Sequence, residues 1–331
     1  MIFKRLFYQS LLFLFLPAMA FPQKISLQES SIGYDFKSGN QLLLTYQTAM
    51  ASVPEGVKAD FSKSGFIHPL NSPSGQKLTR IQPPDHYHHY GIWGPWTKTT
   101  IEGREVDFWN LGDGKGRVDF EKLISKKTNS DFAEIVVRQN HMDLLAPSGP
   151  QLALEEDLKI RLWNKKENRY LVDYTTTIST PLSSSVMLEA YRYGGGIGFR
   201  ATEIWDPSNS TILTSEGLDR KGADGSFAKW VVIEGVSDAP AGRSGVLILS
   251  HPANRAHPEP LRVWPEDDHG RKGNVFLEFC PIRHESWEIL PGKKYTLSYR
   301  IVVFDGKISP EEAEKYWNEF AGTSTLTKTK Q

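Results

Sequence analysis

The chain has little of what would place it in several common classes. It contains one cysteine, Cys280, among 331 residues. No internal disulfide can form, so apolar burial must hold the fold. Charge is balanced, with 39 lysines and arginines against 39 acidic residues. Without a basic excess there is no electrostatic footprint for a phosphate backbone, and nucleic acid is not expected as a partner. Beyond the N-terminus no apolar run approaches the roughly 20 residues that span a bilayer, so no membrane span is expected in the mature protein. Internal repeats and low-complexity linkers are also missing. A single domain over 21–331 is therefore expected.

What is present begins with a processing signal. Lys4 and Arg5 precede the apolar run of residues 11–16, and Ala18-Met19-Ala20 is a small-x-small cleavage site. Residues 1–20 are expected to be a signal peptide, cut before Phe21. There is no cysteine at the cut for lipid attachment. Export to the periplasm or secretion into the medium follows as an expectation.

Alternation dominates the remainder. Leu154, Glu156, Leu158, Ile160 and Leu162 share one face, and Glu155, Asp157, Lys159 and Arg161 the other. Tyr170, Val172, Tyr174, Thr176 and Ile178 repeat the pattern, as do Leu297, Tyr299, Ile301 and Val303. Period two over short segments separated by turn residues predicts half-buried antiparallel strands. One segment has helical period. Ser309 is placed to cap it, Pro310 to start it, and Ala313, Tyr316, Trp317 and Phe320 form one face. The prediction is an all-β antiparallel sandwich with a C-terminal helix at 309–320, followed by a polar tail.

Chemistry concentrates at residues 85–96, where Asp85, His86, His88, His89, Trp93 and Trp96 lie close together. Imidazole titrates near neutrality and ligates metals. Indole offers a flat apolar wall for a ring. In extended conformation His86 and His88 would share one face, with Asp85, Tyr87 and His89 on the other. His86 and His88 could then hold one divalent metal ion, with a further ligand from His68, Asp107, His251 or His257. Without metal, one histidine could serve as general acid or base, oriented by Asp85 or Asp107. Trp93 and Trp109 could equally line a pocket or fill the core. Arg192 and Arg200 flank Gly194-Gly195-Gly196, a run that lacks the lysine and serine or threonine of a phosphate loop. Residues 199–205 beyond it read as strand. Past the apolar strand near 245–250, His251 and Asn254 stand where a rim site would be. Glu189, Glu203 and Glu216 are unranked candidates for a carboxylate base.

Several blocks carry a resemblance. His68-Pro69-Leu70, Asp85-His86-x-His88-His89-x-Gly91-Ile92-Trp93, Asp107-Phe108-Trp109, the stretch 195–200, and His251-Pro252-x-Asn254 resemble the PmoA-like family of secreted bacterial proteins. That family has no known function and carries a methane-oxygenase label. Tyr90 departs from it, at a position where many relatives are expected to be basic. The resemblance implies a galactose-mutarotase-like β-supersandwich and a carbohydrate or other small polar ring as ligand. It leads to the expectation of a glycoside hydrolase, lyase or sugar epimerase. Asp85, His86, His88, His89 and His251 would be catalytic, and His68, Trp93, Trp109, Arg192, Arg200 and Asn254 would hold substrate. A non-catalytic glycan-binding module and a metal-dependent oxygenase are the alternatives.

Overall fold

The computed structural model describes residues 24–268 and 274–322. The expected signal peptide and the tail at 323–331 lie outside the described residues. Three antiparallel sheets account for the strands. The first runs, in spatial order, β1 (Ile25–Glu29), β2 (Gly33–Ser38), β3 (Gln41–Gln47), β4 (Phe66–Leu70), β5 (Ile92–Trp93), β13 (Ile197–Arg200), β19 (Phe276–Phe279), β18 (Glu259–Val263) and β15 (Phe227–Ala228). The second runs β14 (Ser210–Thr214), β16 (Trp230–Val236), β17 (Arg243–Ser250), β21 (Tyr295–Asp305), β11 (Arg169–Ser179), β10 (Gln151–Trp163), β9 (Phe132–Asp143) and β8 (Gly116–Thr128). A small third sheet runs β20 (Trp287–Ile289), β12 (Val186–Leu188), β6 (Lys98–Ile101) and β7 (Arg104–Asp107).

The alternation read from the sequence sets which side of each strand is buried. Leu154, Leu158, Ile160, Leu162, Val172 and Ile301 all enter one apolar core, together with Ile67, Ile92, Phe199 and Leu277 of the first sheet. Glu156 falls in that buried register and is 2% exposed. Its carboxylate accepts from Thr176 Oγ1 and pairs with His141 Nε2 at 2.8 Å. The expected strand at 199–205 ends at Arg200, where the chain turns away from the sheet.

Helix α1 (Pro310–Gly322) starts as the sequence predicts, with Ser309 Oγ accepting from the Glu312 N–H at 3.2 Å. Its apolar face packs with Trp230, Leu249, Val302 and Phe304 on the outer side of the second sheet. Among the described residues no helix is long and apolar enough to cross a membrane.

The outer side of the first sheet is different. Odd and even residues of its central strands separate an apolar layer from a polar-aromatic one. Ile92, Phe199, Leu277 and Val263 face the core, while Trp93, Phe276 and Trp264 join a second cluster with Phe66, Tyr90, Trp109 and Tyr193. The histidine block lies against this second cluster.

Candidate functional site

Residues 83–89 do not form a strand. Two consecutive turns, His86 N–H to Pro83 O at 2.8 Å and His89 N–H to His86 O at 3.1 Å, wind the backbone. This corrects the expected alternation. The three imidazoles gather instead of splitting between faces, with ring centroids 5.4 Å apart for His86–His88, 4.8 Å for His86–His89 and 4.9 Å for His88–His89. Tyr87 leaves the group and packs on Phe61. The physical cause is Pro83-Pro84, which removes two backbone donors and favours turn initiation.

Asp85 is the hub. Its Oδ2 accepts from Arg200 Nη2 at 2.7 Å, from His86 Nδ1 at 2.9 Å and from Asn274 Nδ2 at 3.4 Å. Burial raises the Asp85 pKa, but the His86 hydrogen bond and the Arg200 charge outweigh it and hold the carboxyl well below its usual range. It is therefore an anion at neutral pH. Arg200 has no exposed surface. Burial lowers its pKa to about 10 against the opposing pull of Asp85, which leaves it charged. A second Arg200 nitrogen, Nη1, lies 3.3 Å from His89 Nδ1. Guanidinium only donates, so His89 accepts there and carries its proton on Nε2. His86 has the opposite tautomer: Nδ1–H faces Asp85, and Nε2 is the basic nitrogen.

Aromatic rings wall the histidines. His86 meets Trp264 at 4.7 Å, and His89 lies over Trp109 at 5.4 Å with an interplanar angle of 23°. His88 meets Trp109 edge-on at 5.2 Å, and His89 also meets Trp93 and Phe276. Trp109 is locked by its own turn. Asp107 Oδ1 accepts from the backbone N–H of Trp109 and of Asn110, both at 2.8 Å, and Trp109 Nε1 donates to His88 O at 3.2 Å. Asp107 thus positions the indole, with Oδ2 taken by the Asn110 amide.

The remaining expected residues sit elsewhere. His68 Nδ1 meets Thr79 Oγ1 at 2.9 Å, and burial followed by the Lys77 charge lowers its pKa to about 4. His251 accepts from the Ala253 N–H and packs on Phe320 of α1. Burial, then Arg300, lowers its pKa. Asn254 bonds Glu259 and both the N–H and the carbonyl of Ser298, which makes it a strand-end brace. Arg192 is exposed, with its guanidinium 5.3 Å from the Tyr193 ring. The glycines beside it answer a packing need: a Cβ on Gly195 would lie 1.9 Å from the Trp96 ring. Of the possible carboxylate bases, Glu189 accepts from Thr100 and Ser286, Glu203 pairs with Lys77, and Glu216 accepts from Ser215.

Sequence reasoning missed Trp264, Phe276, Asn274 and Tyr193. Phe276 lies in the apolar run 275–279, and pattern alone cannot separate it from core. What brings it to the site is register, which only the fold shows. Phe276 pairs with Arg200 across the sheet, so the two share a face. Among the described residues no group of three or more His, Cys, Asp or Glu is placed to hold a metal ion.

Residues 33–318 match the model of a family of unknown function, DUF6807, and the chain belongs to that family. A comparison with curated proteins found no match. Solved structures with a similar fold include a heparan sulfate lyase from Pedobacter heparinus, at 10% identity and TM-score 0.41, covering 86% of this chain and 37% of that one. A GH36 α-galactosidase from Geobacillus stearothermophilus matches at 10% identity and TM-score 0.35, covering 86% and 39%. A GalM/aldose epimerase homologue from C. elegans matches at 10% identity and TM-score 0.34, covering 85% and 95%. The chain thus spans little more than a third of the lyase and of the galactosidase. Likeness at this level carries no functional argument.

Proposed function

We propose that this member of the DUF6807 family binds a sugar, or another small polar ring, over the histidine cluster that Trp109 and Trp264 support and moves protons on it with His86. One observation carries the reading: the line Arg200–Asp85–His86, which ends on a half-buried imidazole among aromatic rings. A buried cation fixes the carboxylate, the carboxylate fixes the tautomer, and the tautomer leaves a basic Nε2. This is the orienting arrangement that acid–base catalysis requires. The indoles of Trp109 and Trp264 are buried beneath the imidazoles and hold them in place, while the partly exposed His86 and His88 face the ligand. The reaction class is cleavage of a glycoside or epimerisation of a sugar.

Two other readings compete. A non-catalytic glycan-binding module would use the aromatics without needing the oriented imidazole. A metal ion shared by His86 and His88, with oxygenase chemistry, would need further ligands. Proton chemistry is preferred because Asp85 already engages His86 Nδ1 and fixes its tautomer. The PmoA label rests on sequence resemblance alone. Export is part of the proposal, and N-terminal sequencing of the processed protein should begin at Phe21.

The test screens purified protein against neutral and uronate-containing oligosaccharides and free hexoses. Binding is followed by calorimetry, cleavage by reducing-end and ultraviolet assays, and epimerisation by NMR. Turnover of at least one compound is expected, with His86→Ala losing about 100-fold or more while binding persists. Binding without turnover by the unaltered protein favours the module. No binding at all overturns the proposal.

A further inference from the structure

We propose that Tyr193 is the proton donor of this site, working opposite His86; the inference rests on the acid–base reading above and deepens it. Tyr193 is held from all sides. Gly194 N–H donates to buried Glu278 Oε1 at 2.6 Å. A Cβ on Gly195 would meet the Trp96 ring at 1.9 Å and one on Gly196 would meet Phe279 O at 2.3 Å, so the loop packs closely there only as glycine. The phenol ring packs on Trp109 at 5.2 Å and on Phe276 at 6.3 Å.

The hydroxyl is the informative atom. Tyr193 Oη accepts from Arg262 Nη2 at 2.7 Å and from Trp264 Nε1 at 3.1 Å. Both neighbours are obligate donors, and together they occupy the acceptor capacity of a phenol oxygen. Among the described residues Tyr193 donates to no acceptor in return. A residue 9% exposed normally uses its hydroxyl proton. Its proton is thus left for an acceptor that no described residue provides.

Its location fits a ligand. The indole of Trp264 places its N–H on Tyr193 Oη and its ring 4.7 Å from His86. Tyr193 and His86 therefore both contact the same indole. Arg262 is anchored by Asp224 at 3.1 Å and Asp268 at 2.7 Å, which keeps its guanidinium against the phenol oxygen. Burial raises the Tyr193 pKa more than Arg262 lowers it, so the group is protonated at neutral pH and acts as an acid.

The step balances. The Tyr193 O–H bond breaks and a new O–H bond forms on a substrate oxygen. The electron pair left on Oη is stabilised by the Arg262 and Trp264 donors. His86 Nε2 takes the proton of a substrate C–H bond, and the electron pair of that bond forms a C=C bond whose displaced pair ends on the oxygen that Tyr193 protonates. The imidazolium and phenolate left behind are reset by proton exchange with water.

Two variants test this with the oligosaccharide or hexose turned over in the screen above. Tyr193→Phe should lose about 100-fold or more in kcat with KM within about threefold. Replacement of Tyr193 by 3-fluorotyrosine retains the oxygen, both accepted bonds and the fold, but has a more acidic hydroxyl. It should move the alkaline limb of the pH–rate profile to lower pH, a readout that a structural role would leave in place. Where Tyr193→Phe fails to fold, the fluorinated protein decides. Tyr193→Phe turnover within about threefold of the unaltered protein, or an unmoved limb, overturns the inference while His86 keeps its role. If the unaltered protein turns nothing over, the acid–base reading fails and the inference falls with it.

Discussion

Among the described residues two carboxylate–histidine pairs have nearly equal geometry. Asp85 and His86 stand 2.9 Å apart on the outer side of the first sheet. Glu156 and His141 stand 2.8 Å apart between the sheets. Distance does not distinguish them; access does. The His86 side chain keeps 17% of its surface exposed, and that of His141 keeps none. Around His86 lie aromatic faces and a buried arginine. Around Glu156 lie Thr176 and, more distantly, Tyr46, Tyr174 and Lys63. Burial, then Glu156, pushes both tyrosine pKa values well up, which keeps these phenols neutral. A histidine–carboxylate pair is thus no catalytic signature by itself. It becomes one where a ligand can reach the second ring nitrogen.

The contrast is sharpest in stability. Glu156→Ala would leave His141 and Thr176 without their acceptor inside the core. Breaking a buried pair in this way costs about 3–5 kcal/mol. Denaturant unfolding should show that loss, and a cost equal to that of Asp85→Ala would erase the distinction between the pairs.

A third buried carboxyl sharpens the comparison through pH. Glu259 accepts from Ser250, Asn254 and Tyr299, yet burial outweighs these bonds and raises its pKa to about 7. The folded state then holds a proton that the unfolded chain releases near 4.5. Stability from this group is complete below 4.5 and declines as pH rises from there to about 7, by on the order of 3 kcal/mol. Glu156 has the opposite sign. Burial raises its pKa, but the bonds from His141 and Thr176 bring the balance below the ordinary value. Its contribution is present above the usual carboxylate range and is lost as pH falls through the folded pKa. Glu259→Gln should flatten the melting temperature between pH 4.5 and 7. A decline that persists in this variant would assign it to another group.

Much of this was legible beforehand. The period-two runs at 154–162, 170–178 and 297–303 became β10, β11 and β21 with the expected faces inward. The helix cap at Ser309 was local chemistry and held. The histidine block announced itself by composition. Its shape did not, because a turn set by Pro83-Pro84 overrode the alternation assumed for a strand. The partners of the block were hidden for a different reason. Arg200, Trp264 and Phe276 come from separate strands or their ends and meet through sheet register, which no local pattern encodes. His251 and Asn254 stand apart from the block, and Asn254 braces a strand end on Glu259 with the residue types that a polar site also uses.

At the site pair, Asp85→Asn retains the shape and removes the charge. Arg200 would stay buried without its counter-ion, at a stability cost of about 1–3 kcal/mol, less than for Glu156 because Asp85 retains some solvent contact. Turnover should fall further than stability suggests, by about 100-fold, since the amide no longer secures the His86 tautomer. The paired measurements are thermal unfolding and kcat for Asp85→Asn beside Glu156→Gln. If the core variant lost more turnover per unit of stability than the site variant, the roles assigned to the two pairs would be reversed.

The smallest effect is expected at Arg192. Its neighbours in sequence, Tyr191 and Tyr193, turn inward, while its guanidinium is exposed and lies over the Tyr193 ring at 5.3 Å. Exposed cation–π contacts contribute about 0.5–1 kcal/mol. Arg192→Ala should therefore shift stability by no more than that and leave ligand affinity within about threefold, since it removes no hydrogen bond to the gathered residues. Arg200→Ala, one strand away, should by contrast strip Asp85 of its closest donor. Titrating both variants with the same sugar decides where the site ends. A tenfold or greater loss of affinity in Arg192→Ala would extend the site to the rim, so that the ligand reaches past Tyr193 into solvent.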